Sequence, residues 1–307
     1  MKKQQTTGLP GAAKSISTIV SQASDKVKGF SELVQEMERS IIINGKSWST
    51  YDNYSRHLGH LALHYNQFPL DLSAKQVSDY LYFIKSKVNV SKSFFRFTVF
   101  GMRYACKMRG LTYDQYQLPQ LKHEQRLPIV LSGPDMKRLL GAHRVLRSKL
   151  MIGILYECGL RISELRDLEV CHIDVERGML HVQRGKRSKD RYLPLGKMLC
   201  RAIKTYLSAF NPKKYLFENL KGNIVSLSCI NNVIKAAARR AQLTKPVSAH
   251  TLRHTFATHL LEQGAPITTI QALLGHKRLQ TTLIYLHVAQ PVDGKVISPL
   301  DTLYNQQ

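Results

Sequence analysis

The stretch "SAHTLRHTFATHLLEQG", from Ser248 to Gly264, sets His250, Arg253, His254 and His259 within ten residues of one another. If the stretch is helical, His250 and Arg253 stand three apart and project from the same side. Together they can hold one phosphate, the guanidinium by a two-pronged hydrogen bond and the imidazole by a single one. Two blander readings compete. His250 and His254 have the H-x-x-x-H spacing of a zinc site, but Thr251 stands where the glutamate of H-E-x-x-H would be. A lone H-x-x-R is also common as a purely structural pair.

Three other stretches carry residues of the same chemical kind. In "ITTIQALLGHKRLQTTLIYLHV" an apolar helix ends in Leu273-Leu274-Gly275, His276 follows, and Tyr285 lies nine residues later on a new helix that Thr281 could cap. That layout also suits a helix-turn-helix DNA reader, and most tyrosines are half-buried residues with a bonded hydroxyl. In "CGLRISELRDL", Arg161 follows a helix-ending glycine, and its plain reading is a surface arginine paired with Glu164. In "RGKRSKDR", Lys186 and Lys189 sit in a basic turn between two expected strands, where they could be merely solvated or could reach a fixed point on a phosphate backbone. Each piece is ambiguous alone.

The elements that must position these residues are mostly helices. A length of 307 residues favours two domains over one. We expect a flexible leader over 1–25, a helical domain over 26–115, a proline-broken linker over 116–130, a second domain over 131–290 and a tail over 291–307. In the first domain, "GFSELVQEMERSIIING", "SWSTYDNYSRHLGHLALHY" and "SAKQVSDYLYFIKSK" show helical periodicity, with Ser73 as a cap. In "SKSFFRFTVFGMRYACKMRG", Phe95, Val99, Met102 and Cys106 form an apolar stripe. Lys92, Arg96, Arg103 and Lys107 fall beside it within an arc of roughly 60°. No acidic residue occurs from Tyr80 to Tyr113, so this face is expected to lie against a DNA backbone rather than only water. In the second domain, Met179–Val182 and Arg191–Leu195 read as strands in an otherwise helical chain. The fold class is therefore mainly α with a small β-sheet (α+β).

Charge and cysteines narrow the partner. Lys and Arg number 45 against 21 Asp and Glu, a formal +24, which points to a polyanion, nucleic acid before a membrane surface. No apolar run approaches the ~20 residues of a membrane span, and no signal-like segment opens the chain. Five scattered cysteines without a C-x-x-C pair indicate neither zinc nor a disulfide framework and fit a cytoplasmic setting. No phosphate-cradling P-loop or dinucleotide fingerprint is present.

Taken together in this order, "GLRISEL", "GKRSKDRYLPL", "HTLRHTFATHLL" and "LLGHKRLQTTLIYLHV" closely resemble the tyrosine recombinase (phage integrase) family, and within it the Xer recombinases and integron integrases. The resemblance covers the whole second domain, and the basic helical first domain is similar to the family's core-binding domain. It implies a site-specific recombinase that cuts and rejoins double-stranded DNA through a 3′-phosphotyrosyl link, with Tyr285 as nucleophile. Arg161 and Arg253 would grip the non-bridging oxygens, and Lys186 would protonate the departing 5′ oxygen. His250 and His276 would bond the phosphate and help manage protons, and Glu164 would orient Arg161. Lys189 and the cationic helix face would bind DNA. The resemblance further implies a homo-tetramer on two DNA sites, with the tail docking on a neighbouring subunit, and no metal or other cofactor.

This chemistry is physically coherent. Two fixed guanidiniums offset charge that grows on the phosphate in the transition state, and a cationic cluster should favour the phenolate of a tyrosine. Two alternatives share some of these features: a helix-turn-helix regulator without chemistry, and a type IB topoisomerase-like enzyme. The first leaves Arg161, Lys186 and the His-x-x-Arg spacing unexplained. The second fits the chemistry, but the wording of the motifs is that of the recombinases. His259 is expected to be structural and His254 at most supporting.

Overall fold

The computed structural model describes residues 17–87, 91–121, 127–183 and 190–289. The chain divides into two compact units, Met1–Glu124 and Gln125–Gln307.

The first unit is built from helices α1 (Thr18–Lys26), α2 (Phe30–Ile43), α3 (Trp48–Tyr65), α4 (Ala74–Ser86) and α5 (Lys92–Met108). Serines start three of them. Ser47, Ser73 and Ser91 each accept a hydrogen bond from a backbone N–H of the first turn, and Ser73 forms a reciprocal pair with Gln76. The apolar stripe of α5 behaves as its spacing demands: Val99, Met102 and Cys106 are buried, and Phe95 is half-buried. Gly101 lets α5 approach α3 closely, since a Cβ there would lie 3.2 Å from Leu58 Cγ and 3.3 Å from the Tyr54 carbonyl oxygen.

Two expectations about this unit need correcting. The leader does not extend to residue 25, because α1 begins at Thr18 and buries Val20 and Ala23 in the core of the unit, joined by Val27 just past its end. Their spacing of three and four is a helical stripe that the polar composition around it hides. The expected linker over 116–130 is also partly packed. Tyr116 and Leu118 are buried with this unit, and the Tyr116 hydroxyl donates to the Leu70 carbonyl. Apolar side chains here outweigh the helix-breaking prolines as evidence of where packing ends.

The second unit contains α6 (Gly133–Gly141), α7 (Leu146–Glu157), α8 (Ile162–Arg166), α9 (Lys197–Phe210), α10 (Leu227–Arg240), α11 (Ala249–Glu262), α12 (Ile267–Leu274) and α13 (Gln280–Leu283). A 3-10 turn, Ile284–His287, follows α13 directly. The apolar helix α7 lies at the centre, packed against α9 and α11, and buries Leu150, Met151, Ile152, Ile154 and Leu155. An antiparallel sheet of β1 (Ile173–Asp174), β2 (Met179–Val182) and β3 (Arg191–Pro194) runs in that order, with Leu180 opposite Leu193 and Val182 opposite Arg191. The two longer strands were expected; two-residue β1 is too short to show a pattern. Thr281 lies inside α13 rather than capping it. Among the described residues, no helix is long and apolar enough to cross a membrane.

Candidate active site

Arg161 is the residue just before α8, and its position is held from two sides by Glu164. Glu164 accepts the Arg161 backbone N–H at 2.9 Å and the Arg161 guanidinium at 2.9 Å. The same carboxylate accepts two hydrogen bonds from Arg191 on β3, at 3.1 and 2.8 Å, and Arg191 Nε donates to the Leu273 carbonyl on α12 at 2.7 Å. Burial alone would raise the Glu164 pKa. The Arg191 hydrogen bonds and charge, with those of Arg161, outweigh burial and hold the carboxyl at about 2. Glu164 is thus a fixed anion that joins α8 to β3, and Arg191 carries the link on to α12. Arg191 was absent from the sequence-derived site. One signal could have found it: it shares the inward face of β3 with Leu193, where an arginine is buried only if paired.

Arg253 lies one turn into α11, whose start is fixed by reciprocal Ser248 and Thr251 bonds. Its side chain is 4% exposed. One guanidinium nitrogen donates to the Gly159 carbonyl and another to the Leu274 carbonyl, each at 2.6 Å. These acceptors are two residues before Arg161 and two before His276, so Arg253 ties the catalytic candidates of three segments together. Gly159 has φ +55°, and a Cβ there would sit 2.8 Å from Phe256 Cε1 and 3.1 Å from Leu274 Cδ2. Only glycine meets both demands. Desolvation, then repulsion from Arg161, lowers the Arg253 pKa to about 9. A cation so placed is stabilised by any anion that arrives beside it.

Tyr285 sits in the 3-10 turn after α13, 1% exposed, and packs with Ala257, Ile270 and Leu274. Its hydroxyl is 3.1 Å from His254 Nδ1. Burial raises the phenol pKa, and the charges of Arg253 and Arg161 offset part of the rise. The expected net shift toward phenolate is therefore corrected: desolvation of the phenolate exceeds its attraction to the arginines. His276 follows Gly275, which ends α12 with φ +63°, and His276 Nδ1 lies 2.9 Å from the buried Thr282 hydroxyl. His250 is exposed, with its ring 6.5 Å from that of His254. Arg161, Glu164, His276 and Arg278 line one open cleft.

The remaining candidates are distributed differently. His259 bridges the Tyr156 hydroxyl at 2.8 Å and the Leu131 carbonyl at 3.0 Å, which is a structural role. Lys92, Arg96 and Lys107 are exposed on α5. Arg103 is not part of that open face. Its guanidinium donates to the carbonyls of Leu118 and Pro119, at 3.4 and 2.9 Å, and lies over the Tyr113 ring, because the chain after α5 folds back across it. Lys186 and Lys189 lie outside the described residues. Glu169, Cys171 and His172 bring one potential metal-ligating atom each within 4.8 Å of one another. The Lys214 ammonium lies 3.6 Å from Glu169, and His172 Nδ1 accepts the Glu169 N–H.

Residues 130–291 match the phage integrase family, which covers more than half of the chain. The chain belongs to the phage integrase family, the tyrosine recombinases. One relative, a putative integrase/recombinase named y4qK from Sinorhizobium fredii, is 31% identical over 274 residues, 88% of this chain and 89% of that protein. Tyrosine recombinase XerD of Bifidobacterium longum is 38% identical over 208 residues, 61% of this chain and 67% of the relative. The crystal structure of XerA recombinase matches over 91% of this chain and 99% of that one, with 25% identity and a TM-score of 0.52. A lambda integrase dimer bound to a core site shares the fold, with a TM-score of 0.64 at 17% identity over 81% of this chain and 96% of that one. Family membership removes the helix-turn-helix regulator and the topoisomerase as favoured readings. It also makes Arg161, His250, Arg253, His276 and Tyr285 the residues on which the family's chemistry must be tested here.

Proposed function

We propose that this site-specific DNA recombinase cleaves a phosphodiester with Tyr285 and reseals it by the reverse reaction. Tyr285 Oη attacks phosphorus, an Oη–P bond forms, and the P–O5′ bond breaks. The strand is left joined to the enzyme by a 3′-phosphotyrosyl link, with a free 5′ hydroxyl. The energy of the broken linkage stays in the phosphotyrosine, so resealing requires no nucleotide.

The observation that carries this reading is geometric: the buried Tyr285 hydroxyl lies 3.1 Å from His254, the residue after Arg253 on α11, and Arg253 is held by carbonyls two residues before Arg161 and two before His276. Arg253 and Arg161 also repel one another, and a phosphate between them relieves that repulsion. As the transition state gathers charge on the non-bridging oxygens, two preorganised guanidiniums stabilise it more than they stabilise the substrate. Glu164 and Arg191 keep Arg161 in place for this. His250 and His276 hydrogen-bond the phosphate, and Lys186 delivers a proton to O5′.

The first unit and the second both bind duplex DNA in this account. Lys92, Arg96 and Lys107 contact the backbone from α5, with Lys189 doing so from the segment between β2 and β3, while Arg103 holds the polypeptide that leaves α5. Recombination requires four copies on two sites, with residues 291–307 docking on a neighbour. The setting is the cytoplasm, where DNA and reduced thiols coexist.

The test is a suicide substrate. A duplex selected from a randomised pool by the protein's own binding is nicked beside the cleavage position, so that cutting releases a short oligonucleotide. In EDTA, the wild-type protein accumulates a covalent adduct and Tyr285→Phe does not. Equal adduct from Tyr285→Phe would overturn the assignment of the nucleophile.

A further inference from the structure

Tyr285 poses a chemical problem that the arginines do not solve. Its phenol must lose a proton as Oη bonds to phosphorus, yet burial raises its pKa above the ordinary value. The proton needs an acceptor inside the site. Among the groups around the hydroxyl, Arg253 and Arg161 are cations and cannot accept. His250, to which the family resemblance assigns part of the proton handling, is exposed at the start of α11. His254 is different. It stands one turn further along α11, half-buried, with Nδ1 3.1 Å from Tyr285 Oη.

We propose that His254 is a catalytic residue that accepts the Tyr285 proton during strand cleavage and returns it during resealing. The inference rests on the reading of Tyr285 as nucleophile. With its ring hydrogen on Nε2, a neutral imidazole presents the Nδ1 lone pair to the phenolic hydrogen. As the Oη–P bond forms, the O–H pair stays on oxygen and the proton passes to Nδ1. The P–O5′ pair leaves with O5′, which takes a proton from Lys186. Resealing runs each transfer backward. Protons and charge balance without a further reactant.

The surroundings favour this assignment. Desolvation first, then the charges of His250 and Arg253, lower the His254 pKa to about 4, so the ring is neutral at neutral pH but a weak base until negative charge gathers on the phosphate beside it. The imidazolium formed in the step lies beside a phosphate that is gaining negative charge, so the cost of protonating His254 falls as the reaction advances. The hydrogen bond also fixes the direction of the Oη lone pairs before DNA arrives. Positioning and proton transfer are separable by experiment because asparagine can accept a hydrogen bond but not a proton at neutral pH.

The experiment measures single-turnover adduct formation on the selected nicked duplex by wild type, His254→Asn and His254→Gln. Each is made with natural tyrosine and with an acidified fluorotyrosine at position 285. Loss of a general base slows proton transfer by about 10²-fold or more. The expected result is a loss of that size in the variants with natural tyrosine, near-wild-type DNA binding, and a loss shrinking to under about tenfold with the fluorinated phenol. A loss equal for both phenols would make His254 merely structural and overturn the proposal, as would variant rates within about threefold of wild type. Two amide variants guard against a misfolded one, and thermal melting identifies it. If wild type binds the duplex but forms no adduct with either phenol, the nucleophile reading itself falls, which a failure confined to the variants cannot produce.

Discussion

The guanidinium of Arg191 meets the carboxylate of Glu164 edge to edge, with bonds of 3.1 and 2.8 Å, and the two side chains are only 8% and 10% exposed. Removing one partner of a buried pair leaves the other charged and desolvated, which costs about 3–5 kcal/mol. Arg191→Ala should therefore lower unfolding stability by that amount in urea titrations. Arg191→Lys should fall between, because one ammonium cannot reach both carboxylate oxygens and the Leu273 carbonyl. An alanine variant within about 1 kcal/mol of wild type would show that the pair does not hold this unit together.

Glu164 makes the same region acid-sensitive. Its folded pKa of about 2 lies below the ordinary glutamate value of 4.5. A depressed folded pKa stabilises the protein above the unfolded pKa, and the stabilisation is lost as pH falls through the folded one. The difference corresponds to a contribution on the order of 3 kcal/mol at neutral pH. Wild type should exceed Glu164→Gln in stability at pH 7, and the gap should narrow steadily below about pH 4.5. A gap that stays constant from pH 7 to pH 3 would contradict the assigned ionisation.

Gly159→Ala should damage both stability and catalysis. The left-handed backbone costs an alanine about 1 kcal/mol, and overlap with Phe256 adds roughly 1–3 kcal/mol. Because the Gly159 carbonyl holds Arg253, the shift also moves that guanidinium. The expected signature is a lowered melting temperature together with cleavage reduced more than duplex binding, read by gel shift and adduct yield. Unchanged cleavage in a folded variant would separate Gly159 from the site.

Lys186→Ala should slow cleavage far more than DNA binding, since one phosphate contact among many adds little affinity. A 5′-thiol leaving group needs no proton donor and should restore most of the rate. Equal losses with oxygen and sulfur leaving groups would remove Lys186 from the general-acid role.

The linear order of residues revealed much of this architecture, for identifiable reasons. Serine caps and apolar stripes are local, so α5 with Val99, Met102 and Cys106 could be read directly. The family motifs likewise marked Arg161, His250, Arg253, His276 and Tyr285. What escaped was set by distant partners. Arg103 belongs to the cationic stripe of α5 by spacing, yet carbonyls 15 and 16 residues away claim it. Arg191 shows in the sequence only as an arginine alternating with Leu193 on one strand face, and its partner Glu164 emerges when β3 faces α8. His254 gains meaning only from Tyr285, 31 residues on, and the balance between burial and arginine charge at that phenol depends on how deeply the 3-10 turn is packed.

The central claim is that Tyr285 becomes covalently attached to DNA. Digesting the trapped adduct with trypsin and nuclease, then sequencing it by mass spectrometry, reads the attachment site directly. Cleavage after Arg278 and Lys295 gives the peptide "LQTTLIYLHVAQPVDGK", in which Tyr285 is the only tyrosine. The account predicts a nucleotide on Tyr285 of that peptide, joined through a 3′ phosphate. A nucleotide on any other residue, or a link through a 5′ phosphate, would contradict it.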